Sequence, residues 1–327
     1  MASNKTKSFL VIVLLLSSSW GFFAHKKINR LAVFTLPVEM IPFYKKNIRY
    51  IEEAAVNPDL RRYAVKEEAP RHFIDLDDYG DSAAYKLPRY WKQALEKHGL
   101  DYLEERGVVP WTIERVYLQL KDAFAARNPE KILKLSADLG HYVADAHVPL
   151  HTTKNYDGQL TNQNGIHGLW ESRLPELFFN EYDFYTGKAK YIANVQLEAW
   201  KIVQHTNTLL DSVLRIEKQL SNHYGEKKFS FESKGKQTVK VFSVEFSKAY
   251  HEKLHHMVER KMRASVLMVG SLWYTAWVDA GQPDLKSLVN YKPSEEEIKK
   301  REEEYKKWKE AQRANRLENW RIEKLED

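Results

Sequence analysis

The chain has 327 residues, 43% of them hydrophobic and 29% charged, so it is long and apolar enough to bury a core, and global disorder is excluded. It holds no cysteine and twelve histidines, which rules out disulfides, thiolate metal sites and cysteine nucleophiles. The formal net charge of +6 allows an anionic partner without requiring one.

Lys5 and Lys7 precede an apolar run from Phe9 to Leu16, and Ser17, Ser18 and Ser19 follow. That is the charged, apolar and small-residue order of a secretory signal peptide over residues 1–19, with a retained signal anchor as the alternative. The run is too short to span a bilayer as a helix. Cleavage after Ser19 would export the protein, to a periplasm or beyond the cell, with Trp20 as its new N-terminus.

The body reads as helices. Ile113, Val116, Tyr117, Leu120 and Phe124 recur at helical spacing, as do Ile132, Leu135, Leu139, Tyr142 and Val143. Pro129 suits the first turn of the second helix, with Asn128 as its cap. Residues 149–168 cluster Asn, Asp, Gly and Thr and predict a loop. Two more long helices are expected over 195–220 and 246–278. Between them, alternation in 238–244 predicts a small β-hairpin within 229–246. From Ser294 onward Glu, Lys and Arg dominate, which predicts a solvated or fraying helix, a partner-binding tail being the alternative. The expected architecture is all-α, with one large multi-helix domain over 20–290 and a charged helical tail over 291–327.

The chemistry-bearing residues cluster. His141 and Asp145 are four apart on a predicted helix and share its face. Pro149 then breaks that helix and lets His151 turn toward the same face. His167 and Glu171 repeat the four-residue spacing. Neutral imidazole with carboxylate suits zinc at ~2.0–2.2 Å. Upstream stand Trp20 and His25, then Asn57-Pro58-Asp59, then His72-Phe73.

In that order the set resembles the zinc-dependent phospholipases C and the zinc-dependent single-strand nucleases of fungi and plants. The family pattern is an N-terminal Trp, a nearby His, an Asp and a His commonly followed by Phe. It continues as His-x-x-x-Asp-x-x-x-x-x-His and ends as His-x-x-x-Asp or His-x-x-x-Glu. The resemblance spans about residues 20–280 and is specific as a joint motif. It implies a trinuclear zinc site in a cleft. Asp59, His72, His141 and Asp145 would hold one ion, and His151, His167 and Glu171 a second. Trp20, through its free amine and carbonyl, would hold a third with His25, and Asp145 would bridge the first and third. The implied activity is phosphodiester hydrolysis by a metal-activated hydroxide. Asp59 is the candidate proton acceptor.

Two substrates compete. Glu171 and the short gap between His151 and His167 look more like the phospholipases, whereas Phe73 could stack a base of single-stranded DNA or RNA. Packing beside a ligand is the favoured role for Phe73. The mild positive charge suits nucleic acid or an anionic lipid surface, with peripheral membrane contact in the second case. No obligate protein partner is implied. His147 matches no ligand position and is assigned to the pocket wall, while His98, His205 and His223 are assigned to ordinary surface or packing. His251, Glu252 and His255 formally match the His-Glu-x-x-His motif of zinc proteases. Their third ligand would have to be Glu259 or Asp279, and their charged flanks favour a surface match. A non-catalytic zinc-binding interaction protein is the remaining alternative.

Overall fold

The computed structural model describes residues 21–235 and 237–326. Trp20 and the expected signal peptide lie outside the described residues. The fold is all-α with one small antiparallel hairpin. Its principal elements are α1 (Phe22–Ala32), α2 (Asn57–Arg61), α3 (Val109–Ala125), α4 (Pro129–Ala146), α5 (Val195–Asn207), α6 (Leu210–Tyr224), β1 (Phe229–Lys234), β2 (Gln237–Phe242), α7 (Val244–Lys253), α8 (Met257–Asp279) and α9 (Glu295–Glu326). Shorter helical turns connect them.

The helix expected from Ile132 begins at Pro129, and Asn128 Oδ1 accepts the backbone N–H of Lys131 at 2.9 Å. That cap satisfies one of the open donors at the helix start. From Ala137 to Ala146 every residue of α4 is buried, because α1, α3 and α8 all pack on it. At the centre Tyr44 stacks on Trp273 at 5.0 Å, and the Tyr44 hydroxyl bonds Ser136 at 2.8 Å.

One close approach sets the position of the chemistry. Asn29 of α1 is fully buried and donates to the carbonyl of Ala137 at 3.1 Å. It fits because residue 140 has no side chain: a Cβ on Gly140 would stand 1.9 Å from Asn29 Oδ1. His25 lies one turn before Asn29 on the same buried face. The Gly140 contact therefore seats His25 beside His141.

The two long helices expected over 195–220 and 246–278 are each broken in two. The first stops at Asn207, where the Thr208 hydroxyl turns back to the carbonyl of His205 at 2.7 Å. Such side-chain bonds compete with the helix ladder. The second breaks at Leu254–His256, with φ of 51° at His255 and 56° at His256. Two consecutive left-handed residues redirect the chain and allow Leu254 and Met257 both to be buried. The hairpin pairs Phe229 with Phe242 and ends at Lys234 opposite Gln237.

The charged C-terminal segment is helical from Glu295 and is docked rather than free where its side chains are described. Trp308 and Gln312 are buried against α2, and the Arg61 guanidinium lies 5.8 Å from the Trp308 ring centroid. One aromatic per several turns is too sparse a signal for periodicity, yet it suffices to seat the helix.

Candidate metal centre

The structure brings His25, Asp59, His72, His141, Asp145, His151, His167 and Glu171 together. Among the described residues, three groups hold ligand atoms within 4.8 Å of one another: His25, His141 and Asp145; Asp59, His72 and His141; and His151, His167 and Glu171. Trp20 lies outside the described residues, next to Gly21, whose Cβ would stand 3.3 Å from the Glu171 carboxyl carbon.

Asp145 is the hub of the inner groups. Its Oδ2 lies 3.0 Å from His72 Nδ1 and 3.2 Å from His141 Nε2, and its Oδ1 lies 3.3 Å from His25 Nε2. His25 Nε2 is also 3.2 Å from Glu171, which links the inner and outer groups. Asp59 sits in the first turn of α2 with its Oδ1 3.9 Å from both His72 and His141. In the outer group His167 Nε2 is 2.7 Å from Glu171 Oε2, and His151 Nε2 is 3.7 Å from the same atom.

The local sequence explains this convergence. α4 ends at Ala146, and Pro149 opens a tight helical turn over Pro149–Thr152 that carries His151. His72 ends the turn Lys66–His72, and the two segments are stitched twice: Ile74 N–H to the His151 carbonyl at 2.9 Å, and His151 Nδ1–H to the His72 carbonyl at 2.7 Å. Glu171 lies on a π-helical turn, Leu169–Arg173, a geometry that recurs at functional sites. The loop ahead of it is built by its own polar side chains, with Asn155 Oδ1 accepting from Leu160 N–H at 2.8 Å.

Ring orientation is set by backbone carbonyls, which only accept. His141 Nδ1 donates to Ala55, His151 Nδ1 to His72, and His167 Nδ1 to Tyr156, at 2.8, 2.7 and 3.2 Å. Each ring thereby turns an Nε2 lone pair inward, the usual outer-shell arrangement of metal-binding histidines. His141 Nε2 and His72 Nδ1 face each other at 3.0 Å, with a carboxylate oxygen against both. His151 Nε2 is buried with no hydrogen-bond partner among the described residues. Ligand atoms around a tetrahedral zinc at ~2.1 Å stand roughly 3.4 Å apart. The separations given above run from 2.7 to 3.9 Å and bracket that spacing, so the imidazole and carboxylate donors fit a divalent cation such as zinc.

Electrostatics run the same way. Burial opposes charge on His141, but Asp145 and Asp59 outweigh it and raise its pKa to about 9. Burial opposes charge on His151 as well, and Asp145 and Glu171 raise it to about 9. Burial would raise Asp145, yet His141 and His151 hold it well below the carboxylate range. Burial likewise opposes the charge of Glu171, and His151, His167 and His25 hold it low. Such a site retains positive charge, supplied by protons or by metal ions in competition with them.

Other residues take different places. The Phe73 ring lies on Gly107, where an added Cβ would stand 2.6 Å from it, and Phe73 is partly buried. His147 donates to the Val143 carbonyl at 2.8 Å, and burial pushes its pKa down to about 3. With Trp170 and Lys261 it walls a small cavity behind His25 and Glu171. The protease motif is dismantled by the break between α7 and α8. His251 is buried and stacked on Phe178 at 4.8 Å, while His255 is exposed in a left-handed conformation beyond the helix.

One network had no sequence motif to announce it. Glu68, fully buried behind His72, accepts from Arg61 Nε at 2.8 Å, Arg61 Nη2 at 3.0 Å, Arg71 at 2.9 Å and the Tyr142 hydroxyl. Arg61 also meets Asp138 at 3.1 Å. The network ties α2, with Asp59, to α4. Its one visible trace is the four-residue spacing of Glu68 and His72.

No protein-family model matches the chain, and no curated protein matches it. Among solved structures it is similar to the alpha toxin of Clostridium absonum, with 12% identity and a TM-score of 0.46 over 79% of this chain and 64% of that one. It is also similar to the Clostridium perfringens alpha-toxin from an avian strain, with 11% identity and a TM-score of 0.44 over 82% of this chain and 65% of the toxin. The chain thus spans less than two thirds of the length of either toxin.

Proposed function

We propose that this chain is a zinc-dependent phosphodiester hydrolase whose substrate is a phospholipid, cleaved on the glycerol side of the phosphate. The observation that carries the reading is the convergence of five imidazoles and three carboxylates on inward-facing lone pairs, each of three rings being fixed by a backbone carbonyl. The chemistry zinc supplies when held there is Lewis acidity toward phosphoryl oxygens and water.

The protein's own residues divide the remaining roles. Asp145, His72, His141 and His25 would hold the inner ions, and His151, His167 and Glu171 the outer one. Asp59 is the carboxylate of the inner set most open to solvent, with its side chain 21% exposed. In this reading it accepts a proton released during attack on phosphorus. Arg62 Nη1 lies 3.8 Å from Asp59 Oδ1. Glu171, rather than Asp, and the fifteen residues between His151 and His167 support the phospholipid over the nucleic-acid substrate.

The test is a parallel assay of zinc-loaded protein processed to begin at Trp20. Metal analysis should find about three zinc ions per chain. Phosphatidylcholine should yield diacylglycerol and a phosphorylated head group, while single-stranded DNA stays intact. Cleavage of the DNA alone would replace phospholipid by nucleic acid. Hydrolysis of neither, with zinc bound, would sink the hydrolase reading.

A further inference from the structure

The hairpin β1–β2 is rooted in the outer metal group but presents a surface that hydrolysis leaves unused. Arg173 ends the π-helical turn that bears Glu171; its Nε donates to the Phe242 carbonyl at 3.1 Å, and its Nη groups grip Glu232. Gly165, two residues before His167, faces the Phe242 ring. The hairpin therefore stands at the solvent edge of the site, where His167 is the most exposed of the outer ligands, with 26% of its side chain open.

The register places Phe229, Phe231, Thr238, Lys240 and Phe242 on one face. An aromatic column runs outward along it, from buried Phe246 to Phe242 at 5.6 Å and on to Phe229 at 5.2 Å. Beyond the column Phe231 is 63% exposed and has no ring partner among the described residues. Lys240 lies opposite Phe231 with its Nζ 4.0 Å from the Phe229 centroid, and no carboxylate pairs with it among the described residues. The segment 225–242 has five lysines and two glutamates, and one of those, Glu232, is occupied by Arg173. On the loop that carries the Tyr156 carbonyl, Tyr156 and Leu160 are also exposed.

An aromatic on a paired strand, open to water, opposite an ammonium group and in a segment with an excess of lysine over glutamate, matches an interface with apolar depth beneath a negative surface. Among the described residues no helix is long and apolar enough to cross a membrane. We infer that the hairpin, through Phe231 and Lys240, docks the protein on an anionic phospholipid surface and sets the outer metal group against it. The lipid partner rests on the phospholipid reading above.

The experiment measures flotation of the zinc-loaded protein with vesicles of phosphatidylglycerol and phosphatidylcholine, and with phosphatidylcholine alone. Binding should favour the anionic vesicles and fall with salt. Phe231→Ser and Lys240→Glu should each weaken it about tenfold. Phe231→Trp should restore or strengthen it, because Trp suits the membrane interface. Hydrolysis of a small water-soluble phosphodiester, bis(p-nitrophenyl) phosphate, should stay within about twofold in all three, since none of these side chains belongs to the metal centre. Unchanged vesicle binding by Phe231→Ser overturns the inference, as does loss of binding to a single-stranded oligonucleotide in its place. Phe231-dependent vesicle binding by a protein that hydrolyses no phosphodiester leaves the docking surface standing and removes the hydrolase reading instead.

Discussion

The inner and outer ligand groups use the same residue types under opposite constraints. Apart from Asp59, the inner group is enclosed: His72, His141 and Asp145 are all 2% exposed or less, and the Glu68–Arg61 network closes the wall behind them. The outer group leans on a loop and a π-helical turn, and His167 reaches solvent. The inner side chains sit on packed helices and on the turn that ends at His72. Of the outer ligands His167 is held by the loop, through the Tyr156 carbonyl and the Asp157 carboxylate, while His151 is tied to the His72 carbonyl. The difference separates an enclosed set of side chains from one that borders solvent.

The sharpest break should come at the hub. Asp145→Asn should cost about 10⁴-fold in hydrolysis and release inner zinc, because one carboxylate serves three imidazoles. Glu252→Gln, on the dismantled protease motif, should stay near wild type. Comparable losses from both would contradict the assignment of the chemistry to the inner group. Next in size is Glu68→Gln, which leaves Arg61 buried with a weakened partner. Urea unfolding should show a loss of about 3–5 kcal/mol with hydrolysis by the folded fraction reduced less. If the folded fraction lost its activity as fully as Asp145→Asn does, Glu68 would belong to the chemistry rather than to the wall.

His167→Ala should cut hydrolysis about 10²-fold, but added zinc should restore much of it, because the outer group keeps His151 and Glu171. Failure of excess zinc to restore activity would erase the contrast between the groups. The smallest effect concerns Lys261, behind the outer group, which donates to Thr206 at 2.9 Å. Burial pushes its pKa from 10.5 down to about 8. The unfolded chain holds this proton more tightly, so folding is penalised below about pH 8 and the penalty fades as pH rises toward 10.5. Lys261→Met should add on the order of 2 kcal/mol at pH 7, with the advantage shrinking by pH 10. A constant difference across that range would show that the lysine folds without a charge penalty.

The sequence by itself determined the helical class, the α4 helix with its Asn128 cap, the hairpin, and the local grouping of His141 with Asp145 and His151 and of His167 with Glu171; that His25, Asp59 and His72 join them was implied only by the family resemblance. Those features rest on short-range rules: apolar spacing, capping, the turn imposed by Pro149, and the four-residue reach of a helix face. Tertiary structure decided what depends on partners distant in the chain. The breaks at Thr208 and at His255–His256 separate helices that periodicity alone joins, because packing on two different faces outweighs continuing one ladder. The docking of Trp308 on Arg61, the burial of Glu68 behind His72 and the fit of Asn29 against Gly140 pair residues whose types carry no local pattern. Each is a contact between surfaces, and its energy exists only once both surfaces have been built.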